Sequence, residues 1–202
     1  MNKRIPHLLL FVYSIYFIVL SIAPYHRAYW LATNLVPLLV CFILIKTYST
    51  YRFTNFAYIL ASFLIFLQTL GAHYFFHRVK FDFVTNLFGF ERHNFDRLVH
   101  ITVGFYAFLF AEYMHRRRMI TSMRLLTLVS FSFIMTVAAF YEIIEWIYLI
   151  IVSPELNADF LGAQGDIWDA QKDMACDGMG AIFALIIYRV RFYLKNEKYS
   201  NS

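Results

Sequence analysis

The sequence predicts an all-α, polytopic membrane protein of about six spanning helices, one transmembrane domain over residues 1–202, with both termini in the cytoplasm. Three observations carry that expectation. The chain is 60% hydrophobic and only 15% charged, too apolar for a soluble protein of this size. Its apolar residues gather into six runs, each near the ~20 residues that a helix needs to cross a ~30 Å hydrocarbon core. Lys and Arg concentrate at alternate ends of those runs, as positive-inside topology requires.

The first run, roughly 8–23, follows "MNKR" and ends in "LSIAPYHRAYW". That ending lacks a small-x-small cleavage site, so the run reads as an uncleaved first span and not a signal peptide. The others are roughly 28–46, 55–73, 96–114, 125–150 and 169–188. Twelve of the eighteen Lys and Arg, among them Arg4, Lys46, Arg52, Arg116 to Arg118 and Arg189, fall on the side that carries both termini. Six fall on the other side, four of them in the connection around 74–97. Seven phenylalanines between 75 and 95 place that connection along the outer interface, with a re-entrant path as the alternative.

Lesser features fit the same map. The net charge of +5 is a topology signal here; nucleic acid is not an expected partner and the lipid bilayer is. "HRRR" at 115–118 is a topology anchor with anionic lipid as a secondary partner. Trp30, Trp146 and Trp168 fall at the outer level and read as an aromatic belt. Cys41 and Cys176 lie at different depths and are not expected to pair.

Depth, counted at 1.5 Å per residue from the basic inner ends, separates the ionisable residues into two classes. Asp177, twelve residues before Arg189, comes out about 18 Å up, with Asp173 and Asp169 successively nearer the outer boundary. On the other helices His100 comes out at about 21 Å, Glu142 at about 25 Å, Asp96 at about 27 Å and Glu145 at about 30 Å. His73, with His77 beyond it, ends the third span at the same level. The only acid within a span in the inner half is Glu112, where an i,i+4 pair with Arg116 accounts for it.

The spacings give each helix one polar stripe: Asp96 and His100 at i,i+4; Glu142 and Glu145 at i,i+3; Asp169, Asp173 and Asp177 at i,i+4,i+8. Acids at this depth are costly, so the stripes must face one another, a ligand or water. Gly178, Gly180 and Ala181 would let another helix approach at the acidic level. The candidate polar site is therefore His73, Asp96, His100, Glu142, Glu145, Asp169, Asp173 and Asp177.

His and carboxylate ligands in such a set suit a divalent metal, Zn, Mn or Mg, with His100, Glu142, Asp173 and Asp177 as its core. The metal would activate water or hold a phosphate headgroup of a lipid-linked or envelope-derived ligand, so enzymatic processing and plain binding are both open. The alternatives are a small proton- or cation-coupled transporter and a structural or assembly protein whose buried polar groups fix helix register.

The stretches "ERHNFDRLVH", "YEIIEW" and "FLGAQGDIWDAQKDMACDGMGA", in that order over nearly the whole chain, resemble the YjdF-type family of bacterial inner-membrane proteins. That resemblance implies the inner membrane and no particular chemistry. More distantly, the pattern is similar to VanZ-like membrane proteins. Asp96, Arg97 and His100 match their first motif, Glu142 the start of the second, and Asp173 and Gly180 the third. Glu145 stands where Gln is usual and Asp177 where Asn is usual, so this chain adds two acids.

Overall fold

In the computed structural model the described residues, 4–79, 94–152 and 166–200, are helices joined by turns. All six predicted runs are helical. The chain divides into two compact units, Met1–Val99 and His100–Ser202.

The first unit contains α1 (Arg4–Ser21), α2 (Arg27–Thr33), α3 (Leu35–Thr47) and α4 (Asn55–Tyr74), followed by a 3₁₀ turn over Phe76–Arg78. Helix α4 is the centre of the unit. Its Ala57, Ala61, Leu64, Thr69 and Ala72 are buried, and α1, α2 and α3 pack around it. Phe66 of α4 receives Tyr13 and Tyr16 of α1 at ring separations of 5.4 and 5.0 Å. Phe11, Ile15 and Ile18 on the opposite face of α1 are exposed, as the lipid-facing side of a span should be.

The second predicted span is broken at Asn34. Pro37 cannot donate to the carbonyl four residues earlier, and beside its ordinary helical backbone bond to the Trp30 carbonyl (3.1 Å) Asn34 donates its side-chain amide to the same oxygen at 2.8 Å. Within the membrane such a break must be satisfied by side chains. Here Thr69 donates to Asn34 Oδ1 at 2.9 Å, and the Tyr13 hydroxyl stands 3.0 Å from Thr69 Oγ1. Because the Thr69 proton is spent on Asn34, Tyr13 is the donor in its pair.

The second unit begins midway along α5 (Phe95–Gly104), at His100, and contains α6 (Tyr106–Arg116), α7 (Met123–Val152) and α8 (Asp169–Ser200). Helices α6, α7 and α8 pack pairwise around Ala107, Phe108, Ala111, Ile134, Ala184 and Leu185. A one-residue break at Phe105 separates α5 from α6, with Phe105 donating to the Thr102 carbonyl (3.2 Å) in a tighter turn. Helix α6 stops inside "HRRR". Arg118 takes φ 57°, and the bonds Arg118 N–H to His115 O and Met119 N–H to Met114 O, both 2.9 Å, close a Schellman motif around a non-glycine residue.

Arg4–Ser21, Arg27–Thr47, Asn55–Tyr74 and Met123–Ile147 are each long and apolar enough to cross a membrane. The other two predicted spans, α5 with α6 and the first two-thirds of α8, carry His100 and the aspartates of the candidate site. Helix α8 runs past its predicted end at 188 to Ser200. Trp146 and Trp168 are exposed, but Trp30 is buried beneath Phe17, with ring centroids 5.1 Å apart, and so leaves the predicted aromatic belt. Depth counting gives a residue's level and not the side of the helix it faces. Both cysteines are free thiols. The predicted interfacial or re-entrant course of the connection 74–97 falls, over 80–93, outside the described residues.

Candidate functional site: a histidine between two buried aspartates

The approach of α8 to α5 sets the site. A Cβ on Gly180 would collide with the Ile101 carbonyl oxygen, and one on Gly104 with the Asp177 carbonyl and the Ala181 nitrogen. The two helices therefore touch backbone to backbone, which only glycine permits. Gly178 differs: a Cβ there would meet the Met135 thioether of α7 at 3.3 Å.

This contact brings His100, one turn before Gly104, against the acidic stripe of α8. His100 Nδ1 lies 3.3 and 3.2 Å from the two carboxylate oxygens of Asp177. Its other ring nitrogen, Nε2, lies 3.8 Å from Asp173 Oδ1. The imidazole thus has one aspartate at each nitrogen. All three are buried, with 8% of His100, 4% of Asp173 and 1% of Asp177 exposed. An ionised carboxylate accepts only, so the hydrogen bond between them runs from His100 Nδ1–H to Asp177. A neutral imidazole held this way turns its Nε2 lone pair to the Asp173 side, whereas a protonated one presents an N–H to each aspartate.

The remaining predicted residues distribute around this core. Asp96 stands one turn before His100 on α5 and is half-buried. Asp169 is half-buried at the start of α8, where Asp166 organises the first turn. One oxygen of Asp166 accepts from Trp168 N–H at 3.1 Å and the other from Lys172 Nζ at 2.7 Å. Lys172 is therefore committed to Asp166, away from the buried aspartates. Glu142 and Glu145 are half-buried on α7. Their neighbour Tyr141 on α7 stands edge-on to the His100 ring at 6.2 Å, a contact with no sign in the sequence.

His73 belongs to the first unit, where its Nδ1 lies 2.8 Å from the Leu20 carbonyl and its own carbonyl accepts from Tyr25 N–H at 3.0 Å. It ties the end of α1 to the following turn, satisfying a carbonyl that the helix terminus leaves open. The side chain of His77 is outside what the structure describes.

Below the aspartates the buried face of α8 is Ala181, Ala184 and Leu185. Among the described residues, the buried polar side chains nearer the other end of the unit are Ser130 of α7 and a group around Arg116. Glu112 is 2% exposed and pairs with Arg116 at 2.6 Å, the i,i+4 pair that the sequence predicts, and His115 Nδ1 meets the Tyr188 hydroxyl at 2.9 Å.

The chain is 28% identical over 177 residues to the inner membrane protein YjdF of Escherichia coli (strain K12), covering 87% of this chain and 84% of that protein. No solved structure matches it. Residues 5–193 match the family model described as predicted membrane protein (DUF2238); the chain belongs to that family of membrane proteins.

Proposed function

We propose that this is an inner-membrane protein, both termini cytoplasmic, that holds a divalent cation in the outer half of the bilayer and uses it to bind a phosphate-bearing, lipid-linked or envelope-derived ligand. Asp173 and His100 Nε2 are the inner ligands, and Asp96, one turn from His100, supplies a third. Asp177 is a positioning residue that fixes the imidazole through Nδ1, the arrangement in which a carboxylate orients a metal-binding histidine.

The observation that carries this reading is the separation of 3.8 Å between His100 Nε2 and Asp173 Oδ1. It is too long for a hydrogen bond, yet two ligands each ~2.0 to 2.2 Å from one ion stand up to ~4 Å apart. With few protein ligands the ion keeps coordination positions for water or a phosphate oxygen. Zn and Mn suit the mixed imidazole and carboxylate set better than Mg, which prefers oxygen alone.

The main rival, a proton- or cation-coupled transporter, needs a polar route towards the other end of the bundle. The apolar face of Ala181, Ala184 and Leu185 weighs against it.

The test is metal analysis of the full-length protein purified in mild detergent and offered Zn, Mn and Mg in turn. Wild type should retain stoichiometric metal, His100→Gln should lose it, and Asp177→Asn should bind it ~10- to 100-fold more weakly. Wild type that keeps none of the three metals would leave the three side chains with a structural role only. Reporter fusions near residue 160 and at the C-terminus should report opposite compartments.

A further inference from the structure

A second site lies in the first unit. Between α1, α3 and α4 is a cavity of about 270 Å³, many times the ~30 Å³ share of a water molecule. It extends from His7 and Tyr48 down to Tyr13 and Cys41, about 9 Å along α1. Its walls are almost wholly apolar. The polar side chains at depth are spent internally: Ser62 donates to the Ile59 carbonyl at 2.7 Å, and Tyr13 pairs with Thr69. Of the lining residues, Ile45 is 53% exposed and Leu10 38%, so the cavity reaches the face that meets lipid.

The end near His7 and Tyr48 has the opposite character. Arg52 lies over the Tyr48 ring at 4.4 Å, and His7 meets the same ring edge-on at 5.2 Å. Arg4 and Lys46 belong to the same ends of their helices. The Tyr48 hydroxyl lines this end, buried and with no hydrogen-bond partner among the described residues. Such a donor is costly to leave unmet in an apolar surrounding. The first 81 residues contain no Asp or Glu; Asp82 is the first acid.

We infer that this cavity binds an anionic glycerophospholipid of the bilayer, one acyl chain in the slot between α1, α3 and α4 and its phosphate or ester oxygens at Tyr48 and Arg52. An apolar cavity stays dry and takes an apolar guest, and in a bilayer the guest at hand is an acyl chain. The mouth then selects the headgroup: a local excess of cations attracts anionic lipid, and the unmet tyrosine donor gains an acceptor.

The delipidated full-length protein in mild detergent should be titrated with dioctanoyl-phosphatidylglycerol and, separately, dioctanoyl-phosphatidylcholine, reading the shift of the thermal midpoint. Phosphatidylglycerol should bind roughly tenfold more tightly than phosphatidylcholine, the scale of one hydrogen bond to a charged group. Tyr48→Phe, which keeps the ring, and Arg52→Gln should each erase that preference, and Ser62→Leu, which fills the slot, should weaken both lipids. Equal shifts with the two lipids, no shift with either, or a preference that survives Tyr48→Phe would each overturn the inference. Should Arg52→Gln lower the folded yield, Tyr48→Phe still decides the headgroup and Ser62→Leu the slot.

Discussion

Gly180→Ala and Gly178→Ala add the same methyl group two residues apart on α8, and the structure predicts opposite outcomes. At Gly180 the new Cβ would strike the Ile101 carbonyl oxygen, with the Ile101 carbonyl carbon at 2.9 Å and the Gly104 Cα at 3.2 Å behind it. Every obstacle is backbone, so relief requires the helices to separate by ~1 Å. Overpacking of this kind costs ~1–3 kcal/mol. The same shift would stretch the 3.2 Å contact between His100 and Asp177 past hydrogen-bonding range, adding ~1.5–3 kcal/mol for a bond to a charged group. Better helix propensity returns ~1 kcal/mol, leaving a net loss of ~1.5–5 kcal/mol.

At Gly178 the neighbour at 3.3 Å is the end of the flexible Met135 side chain, which can move aside. There the propensity gain should dominate, giving a change between zero and ~1 kcal/mol of stabilisation. Thermal or denaturant unfolding in mild detergent, monitored by circular dichroism, measures both variants under one condition. A Gly180→Ala protein as stable as wild type, or a Gly178→Ala protein damaged equally, would refute the backbone contact between α5 and α8.

Two further perturbations test the polar groups outside the site. Arg116→Gln should destabilise more than Glu112→Gln, because it takes the cation from a carboxylate that is 3% exposed whereas the arginine's own side chain is 46% exposed. The exposed arginine limits the effect to ~1–2 kcal/mol, and unfolding midpoints that rank the two variants the other way would contradict it. Thr69→Val preserves shape but cuts the relay from Tyr13 to Asn34. It should cost ~1–2 kcal/mol in unfolding measurements, within the range for hydrogen bonds inside membrane bundles, while Thr69→Ser should recover most of the loss.

Helix positions were legible in the sequence because hydropathy reports them directly, and counting from helix ends also matched the register of one pair of helices. Met135 and Gly178, which meet across α7 and α8, come out at ~15 and ~16 Å when counted separately from their own basic ends. The direction in which a residue faces around its helix was not legible. Trp30 and Trp146 share a predicted level, yet one is buried and the other exposed. Gly178 and Gly180 both announced a close approach, but only their packing separates a side-chain neighbour from a backbone one. The break at Asn34 has a local sign in Pro37, but which side chain satisfies it, and the break at Phe105 altogether, depend on what packs against the interrupted backbone, and that is a tertiary fact.

Helix α8 is also a lever. It is 32 residues long, about 48 Å, and it is pinned at Gly180 by a contact too tight to slide. About 30 Å of rod lies on the Ser200 side of that pin and about 17 Å on the other, with Asp173 about 10 Å from the pin. A tilt of ~10° about it would carry the Ser200 end through ~5 Å and the Asp173 carboxylate through ~2 Å. That smaller displacement is comparable to a whole metal–ligand bond, so a load applied to the far end of the helix is geared directly to the spacing between His100 and Asp173.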